Sequence, residues 1–124
     1  MKKHIKYNFE NLEVYELAND FALKIYKIAN SFPKEELFGL TSQIKRAATS
    51  VVLNIVEGSG RNSKKDFARF ISQAIGSLLE VKAVLTLAVK LEYISRETAE
   101  ELFLLIDKLF FKLIAFKKSL IKNK

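Results

Sequence analysis

The chain has 124 residues, of which 49% are hydrophobic, with four glycines and one proline. This composition excludes disordered, collagen-like and low-complexity chains, and so few chain breakers argue against a many-turned β-sandwich or barrel. The absence of cysteine excludes a disulfide framework, a thiolate metal site and a cysteine nucleophile.

The net charge of +7 is concentrated in the middle of the chain. Residues 1–36 carry six basic and six acidic side chains, whereas residues 37–91 carry eight basic and only three acidic ones. Such an excess favours polyanionic partners or acidic surfaces.

No segment reaches the roughly 18 uninterrupted apolar residues that a membrane span needs. The N-terminal lysines are not followed by the apolar core of a signal peptide. We therefore expect a cytoplasmic protein without a membrane partner.

The first of four helical segments covers residues 10–31. Apolar residues recur there at steps of three and four on two neighbouring stripes, which are Val14, Leu17, Phe21, Ile25, Ile28 and Phe32, and Tyr15, Ala18, Ala22, Tyr26 and Ala29. Pro33 ends this helix because proline disfavours helical geometry in the residue before it. Residues 34–40 form a connector.

The second helix is predicted over residues 41–57 and the third over 64–91. Ile44, Ala48, Val51 and Ile55 form the apolar stripe of the second helix, and Gly58 and Gly60 are expected to end it in the left-handed conformation. Ser63 begins a capping box with Asp66 in place of the usual glutamate. The third helix then has a long stripe at the same spacing: Phe67, Ile71, Ala74, Leu78, Val81, Leu85 and Ala88.

The fourth helix is predicted over residues 96–121, with Ser95 as its N-cap. Its stripe consists of Ala99, Leu102, Ile106, Leu109, Leu113, Phe116 and Leu120. No segment alternates like a strand, and short loops make neighbouring helices antiparallel. The sequence therefore predicts an all-α, up-down-up-down four-helix bundle that forms one domain over residues 1–124.

Helices one and four carry wider apolar arcs than a small bundle core requires. Helix four adds five large apolar residues to its stripe: Phe103, Leu104, Phe110, Phe111 and Ile114. Exposed apolar surface usually marks an interface, so we expect a homo-oligomer. The alternative is that flanking loops and tails cover the excess.

The residue inventory does not indicate an enzyme. His4 is alone near the N-terminus, and the glutamate–histidine pairs of di-iron and zinc bundles are absent. Residues 58–61, Gly-Ser-Gly-Arg, follow no strand and lack the lysine of a phosphate-binding P-loop. We expect no catalytic residue, no metal and no cofactor.

Polar residues form a stripe on helix two at spacings of three and four. They are Gln43, Arg46, Ser50, Asn54, Glu57 and Arg61. In a structural interpretation, Asn54 and Glu57 are half-buried at the bundle end and pair with Arg46, Arg61 or a neighbouring subunit. In a functional interpretation, this face binds a ligand.

Six basic residues cluster within 25 positions against only Glu57 and Asp66. They are Lys45, Arg46, Arg61, Lys64, Lys65 and Arg69. Those at the start of helix three lie where free backbone N–H groups and the helix dipole attract anions. They are candidates for binding phosphates without reading sequence, the alternative being an ordinary basic surface. Most aromatic residues fall on core stripes and are poor candidates for base stacking.

Three stretches resemble a known family: ELFGLTSQIKRAA at 36–48, NIVEGSGR at 54–61, and Arg69-Phe70 followed by AIGSLLE at 74–80. They are similar to bacterial four-helix bundle proteins encoded in intervening sequences of 23S rRNA genes, and to the accessory variability proteins of diversity-generating retroelements. The matching family positions are Gly39, Gln43, Arg46, Asn54, Glu57, Gly58, Arg61, Gly76, Ser77 and Glu80. Gly76 lies mid-helix at a cost of about 1 kcal/mol, for which we expect close helix approach to compensate.

The resemblance implies a basic bundle that assembles as a ring, commonly a pentamer, and binds nucleic acid or ribonucleoprotein without catalysis. We therefore expect a non-catalytic homo-oligomer that binds RNA or another nucleic acid. The alternative is a scaffold oligomer that binds a protein such as a reverse transcriptase.

Overall fold

The structure, a computed structural model, describes residues 3–122 as four α-helices and two short 3-10 helices, with no strand among these residues. The α-helices are α1 (Glu13–Ala29), α2 (Leu40–Ser59), α3 (Lys64–Lys90) and α4 (Arg96–Ile121), and the 3-10 helices are Asn8–Asn11 and Lys34–Glu36. Residues 1, 2, 123 and 124 of the predicted domain lie outside the described range.

In the contacts between neighbouring helices, later residues of one helix meet earlier residues of the other, as an antiparallel bundle requires. Tyr26 of α1 contacts Thr49 of α2, and Asn30, the C-cap of α1, contacts Lys45 of α2. Between α3 and α4, Phe67 meets Phe116 while Lys82 lies over the ring of Phe103. The predicted up-down four-helix bundle is confirmed.

The first helix is shorter than predicted. Leu12 has extended backbone angles and separates the 3-10 turn from α1, so that the α-helix begins at Glu13 rather than residue 10. The buried row of α1 also combines members of both predicted stripes: Val14, Ala18, Phe21, Ile25 and Ala29. Leu17 and Ile28 are only half-buried because they face the margin between α1 and α4.

The core lies where the apolar stripes of all four helices converge. Ile44, Val51 and Ile55 of α2 and Ile71, Leu78 and Leu85 of α3 are completely buried. Ser63 and Ser95 cap α3 and α4 as predicted, their hydroxyls accepting the amides of Asp66 and Thr98.

Gly58 does not end α2, which continues to Ser59 and is followed by Gly60. Among the described residues no glycine has a positive φ, so the expected left-handed stop is wrong. A Cβ on Gly58 would lie 2.7 Å from the Phe67 ring and 2.8 Å from the Phe70 Cβ. This glycine therefore provides room for α3, not a change in backbone direction.

Gly76 shows the opposite behaviour. A Cβ there would meet no atom of the chain within 4 Å. The expectation that Gly76 allows close helix approach is therefore wrong within the chain. The close polar contact between α2 and α3 is made one residue later, where the Ser77 and Ser50 hydroxyls are 2.9 Å apart.

By length and composition alone, α3 could cross a membrane, because an 18-residue window has a mean hydropathy of 1.4. Polar residues interrupt the apolar residues of α3, so the helix contains no uninterrupted apolar run of this length. Of this window, 44% is buried inside the bundle. Packing against α2 and α4 accounts for much of its apolar character.

The connector between α1 and α2 is fixed by Glu36. Its carboxylate accepts hydrogen bonds from the Leu40 amide at 3.0 Å and from the Tyr93 hydroxyl at 2.8 Å. These bonds favour the ionised form and lower the pKa of Glu36, and they raise the pKa of Tyr93. Glu36 thus joins the start of α2 to the loop before α4.

We predict that alanine has opposite effects at the two glycines. Gly58→Ala should lower the free energy of unfolding by about 1–3 kcal/mol, because its methyl group overlaps Phe67 and Phe70. Gly76→Ala should raise it by up to about 1 kcal/mol, because alanine favours the helix and meets open space. Denaturant titration of both variants at one protein concentration measures this, and equal effects would contradict the packing described.

We predict that Glu36→Gln weakens the dependence of stability on acidic pH. A lowered pKa in the folded state stabilises the fold above the ordinary value of 4.5, and this contribution is lost as the pH falls through the folded-state pKa. Between about pH 5 and about pH 3, the native protein should lose more stability than the variant. Thermal unfolding across this range tests it, with Glu35→Gln as the neighbouring control. Identical pH profiles for Glu36→Gln and the native chain would count against the contact.

Candidate nucleic-acid interface

The turn between α2 and α3 brings four of the predicted basic residues to one end of the bundle. Arg61 follows the end of α2, Lys64 and Lys65 begin α3, and Arg69 lies one turn further. The Ser63 hydroxyl accepts a hydrogen bond from the backbone amide of Asp66 at 3.0 Å. The remaining amides of the first turn and the positive end of the helix dipole face the same end as these side chains.

The two arginines of this group are largely neutralised within the chain. Arg61 pairs with Glu57 at 2.7 Å and approaches Asp66 at 3.8 Å, and Arg69 pairs with Asp66 at 2.8 Å. Both guanidinium groups lie over the Phe70 ring, 4.5 Å from its centroid. Stacking and ion pairing hold these arginines in place, so they contribute less free positive charge than the sequence suggests.

Lys64 and Lys65 are exposed and have no ion-pair partner within residues 3–122. The last turns of α4 lie beside them, because the Phe67 and Phe116 rings meet edge to face with centroids 5.3 Å apart. That register brings Lys117, Lys118 and Lys122 to the same end. We call this surface the basic end, and its members are Arg61, Lys64, Lys65, Arg69, Lys117, Lys118 and Lys122.

The three lysines of α4 were missed as site residues by sequence reasoning. In the sequence they stand out only as basic residues at the end of helix four, where positive charge suits the helix dipole. The predicted antiparallel order of α3 and α4 could have identified these lysines, since the start of one helix must lie near the end of the other.

Lys45 and Arg46 do not belong to the basic end. Arg46 is 15 residues from Arg61, which corresponds to about 22 Å along a helix. Lys45 donates a hydrogen bond to Asn30 at 3.1 Å and lies over the Tyr26 ring, while Arg46 is exposed on the outer side of α2. The six residues predicted as one cluster therefore form two separate groups.

The polar stripe of α2 follows the margin between α2 and α3. Gln43 donates to the Glu80 carboxylate, and half-buried Asn54 donates to the Ser50 backbone carbonyl at 2.9 Å. Glu57 is not half-buried as the structural interpretation expected, because its side chain is 56% exposed beside Arg61. Gln43 and Ser50, which bond Glu80 and Ser77 of α3, therefore lie at this margin, whereas Arg46 and Glu57 are exposed.

The excess apolar surface expected from helix four is present in part. Leu104 and Phe111 are 69% and 68% exposed on the outer side of α4. Phe103, Phe110 and Ile114 are half-buried. Of the fourteen Phe and Tyr side chains, three are buried, seven are half-buried and four are exposed, so the expectation that most lie in the core holds only in part. The exposed ones are Tyr7, Tyr26, Phe111 and Phe38, the last of which lies in the α1–α2 connector and is 93% exposed.

The chemistry available at the basic end is anion binding. Within residues 3–122, no group of three or more histidine, aspartate or glutamate side chains is arranged to hold a metal ion. Lysine ammonium groups and helix amides bind phosphate oxygens without distinguishing bases. The geometry therefore suits a polyanionic backbone.

Comparisons with known proteins give a family and a structural relative. The fold is similar to the crystal structure of a protein of unknown function from the S23 ribosomal protein family of Bacteroides thetaiotaomicron, with a TM-score of 0.75 and 29% sequence identity. The match covers 85% of this chain and 98% of that chain. No curated protein matches. The family model of the 23S rRNA-intervening sequence protein matches residues 10–115. With the bundle fold, this match shows that the chain belongs to the 23S rRNA-intervening sequence protein family.

Proposed function

We propose that this protein is a non-catalytic homo-oligomer that binds RNA through the basic end. The observation that carries the proposal is that lysines of α3 and α4 without an ion-pair partner in residues 3–122 lie at one end of the bundle, with Lys64, Lys65 and Lys118 exposed. Each lysine that neutralises a phosphate releases a counterion, so several together give strong binding at low salt.

Repetition of the basic end in an oligomer strengthens this proposal. Copies arranged around a symmetry axis add their potentials, which raises the local concentration of a polyanion. The exposed apolar side chains of the connector and of α4 supply surface for such assembly. The ring of five that the family resemblance implies is one form that this assembly can take.

We predict that Lys64→Glu/Lys65→Glu weakens RNA binding at every salt concentration and for all sequences alike. For single-stranded RNA, each lost phosphate contact should reduce the slope of log affinity against log salt by about 0.7. Fluorescence anisotropy with two unrelated RNA oligonucleotides measures both effects.

The matched control is Lys90→Glu/Arg96→Glu, which makes the same change in net charge at the opposite end of the bundle. Lys90 and Arg96 are exposed there. An equal loss of affinity in both double variants would mean that total charge, not the basic end, determines binding. No RNA binding by the native chain at low salt would reject the function itself.

A scaffold that binds a protein partner is the second candidate function. The exposed Leu104 and Phe111 on the outer side of α4 favour it, because neighbouring apolar side chains on a surface usually mark a protein contact. A polymerase such as a reverse transcriptase is a partner of this type.

We predict that nuclease treatment separates the two functions in a pull-down from cells. If RNA binding is the function, co-purified proteins should be lost after nuclease, because they are held through RNA. A partner that stays after nuclease and is lost on Leu104→Asp/Phe111→Asp would favour the scaffold.

A further inference from the structure

The most exposed aromatic ring described in the chain lies in the connector between α1 and α2. Phe38 is 93% exposed, and its neighbour Leu37 is also exposed. Exposing two adjacent large apolar side chains to water is unfavourable for an isolated chain, since burying such side chains is a main source of stability. We refer to Leu37 and Phe38 as the apolar tip.

The backbone around the apolar tip is held in one conformation. The Leu37 amide donates to the Lys34 carbonyl at 3.0 Å, and the Gly39 amide donates to the Glu36 carbonyl at 2.9 Å. The Glu36 carboxylate joins this segment to α2 and to Tyr93 of the next loop. A partner that binds the tip therefore has little backbone entropy to remove, which favours binding.

The same end of the bundle carries an apolar groove on a different side. Of the neighbouring helix pairs, α1 and α4 pack least closely. Between them lies a groove of about 330 Å³ with Ile28 and Leu102 at its base and Lys24, Lys27, Ser31 and Glu101 on its rim. A second recess of about 150 Å³ lies further along, against Phe21 and Leu109. We refer to the first of these as the α1–α4 groove.

We propose that the apolar tip of one copy of this chain docks into the α1–α4 groove of a second copy. The proposal rests on the homo-oligomer proposed above and names its contact surfaces. The chain does not fill its own groove, because Phe38 is almost completely exposed. Both features lie at the bundle end where α1 finishes and α4 begins, so two copies standing side by side in the same direction bring them to the same height.

Charge supports a second copy as the occupant. The segment just before the tip carries exposed Lys34, exposed Glu35 and Glu36, whose carboxylate is held by Leu40 and Tyr93. The groove rim carries Lys24 and Lys27 against one acidic residue, Glu101. One excess negative charge beside the tip therefore faces one excess positive charge on the rim, which favours this pairing and its orientation.

The contact uses two different surfaces of each copy, so it is heterologous. Every copy that donates its tip still has a free groove, and the chain of contacts ends only when a ring closes. A closed ring of side-by-side bundles would place all copies of the basic end on the same rim.

The test uses three variants with the native chain as reference. Phe38→Asp removes the aromatic ring of the tip, Ser31→Trp fills the mouth of the groove, and Leu53→Asp is the matched control. Leu53 is 58% exposed on α2, which contributes no side chain to the groove, and it lies 15 positions beyond Phe38. Mass is measured by analytical ultracentrifugation over a range of concentrations, with circular dichroism to verify that each variant is folded.

We expect Phe38→Asp and Ser31→Trp each to weaken self-association by about 30-fold or more, the factor that corresponds to burying one large apolar side chain. Leu53→Asp should assemble like the native chain. A mixture of Phe38→Asp with Ser31→Trp should form a heterodimer and no larger species, because that pair retains one intact tip and one intact groove.

The outcomes distinguish this inference from the proposed function. A native chain that stays a single subunit at all concentrations would overturn the homo-oligomer and the docking together. A native oligomer that Phe38→Asp leaves unchanged, or two single-subunit variants that do not combine when mixed, would overturn the docking alone. A folded Phe38→Ala variant that assembles at native strength would overturn it as well.

Discussion

The close packing of α2 against α3 is the interaction on which the other features depend. Gly58 lets the Phe67 and Phe70 side chains approach the backbone of α2, and the Ser50 and Ser77 hydroxyls meet further along. This pairing sets the direction in which α3 leaves the turn and therefore where Lys64 and Lys65 lie. Phe67, placed by Gly58, then meets Phe116 and sets the register of α4. One glycine thus connects core packing to the position of the surface charge.

The two ends of the bundle have different chemistry. At one end, lysines of α3 and α4 gather while Asp66 and Glu57 hold the two arginines. At the other end, the Glu36 carboxylate orders a connector whose Phe38 side chain lies in water. Attraction of a polyanion at one end and association between copies at the other do not compete for surface. An oligomer joined at the apolar end keeps its lysines available.

Periodicity in the sequence was sufficient for the fold and for most of the core, because burial at steps of three and four is a property of each helix alone. Gly58 was misread as a stop signal, since its function depends on rings nine and twelve positions away. The Glu36–Tyr93 contact was not predictable from periodicity, because it joins loops 57 positions apart. The exposure of Phe38 was not predictable either, because Phe38 lies in a connector outside the helices. Likewise, the predicted basic cluster was grouped by distance along the sequence. This grouping joined Lys45 to Arg61, although they lie far apart along α2. It also missed Lys117, which the antiparallel direction of α4 brings near Lys64.

Chemical footprinting of lysines with and without RNA is the most direct measurement of the central claim, that antiparallel packing assembles one anion-binding surface from α3 and α4. At low salt, bound RNA should protect Lys64, Lys65, Lys117, Lys118 and Lys122 from acetylation, as read by mass spectrometry. Lys24, Lys27 and Lys90 should react equally in both states. Protection centred on Lys45, or spread evenly over every lysine, would contradict the account.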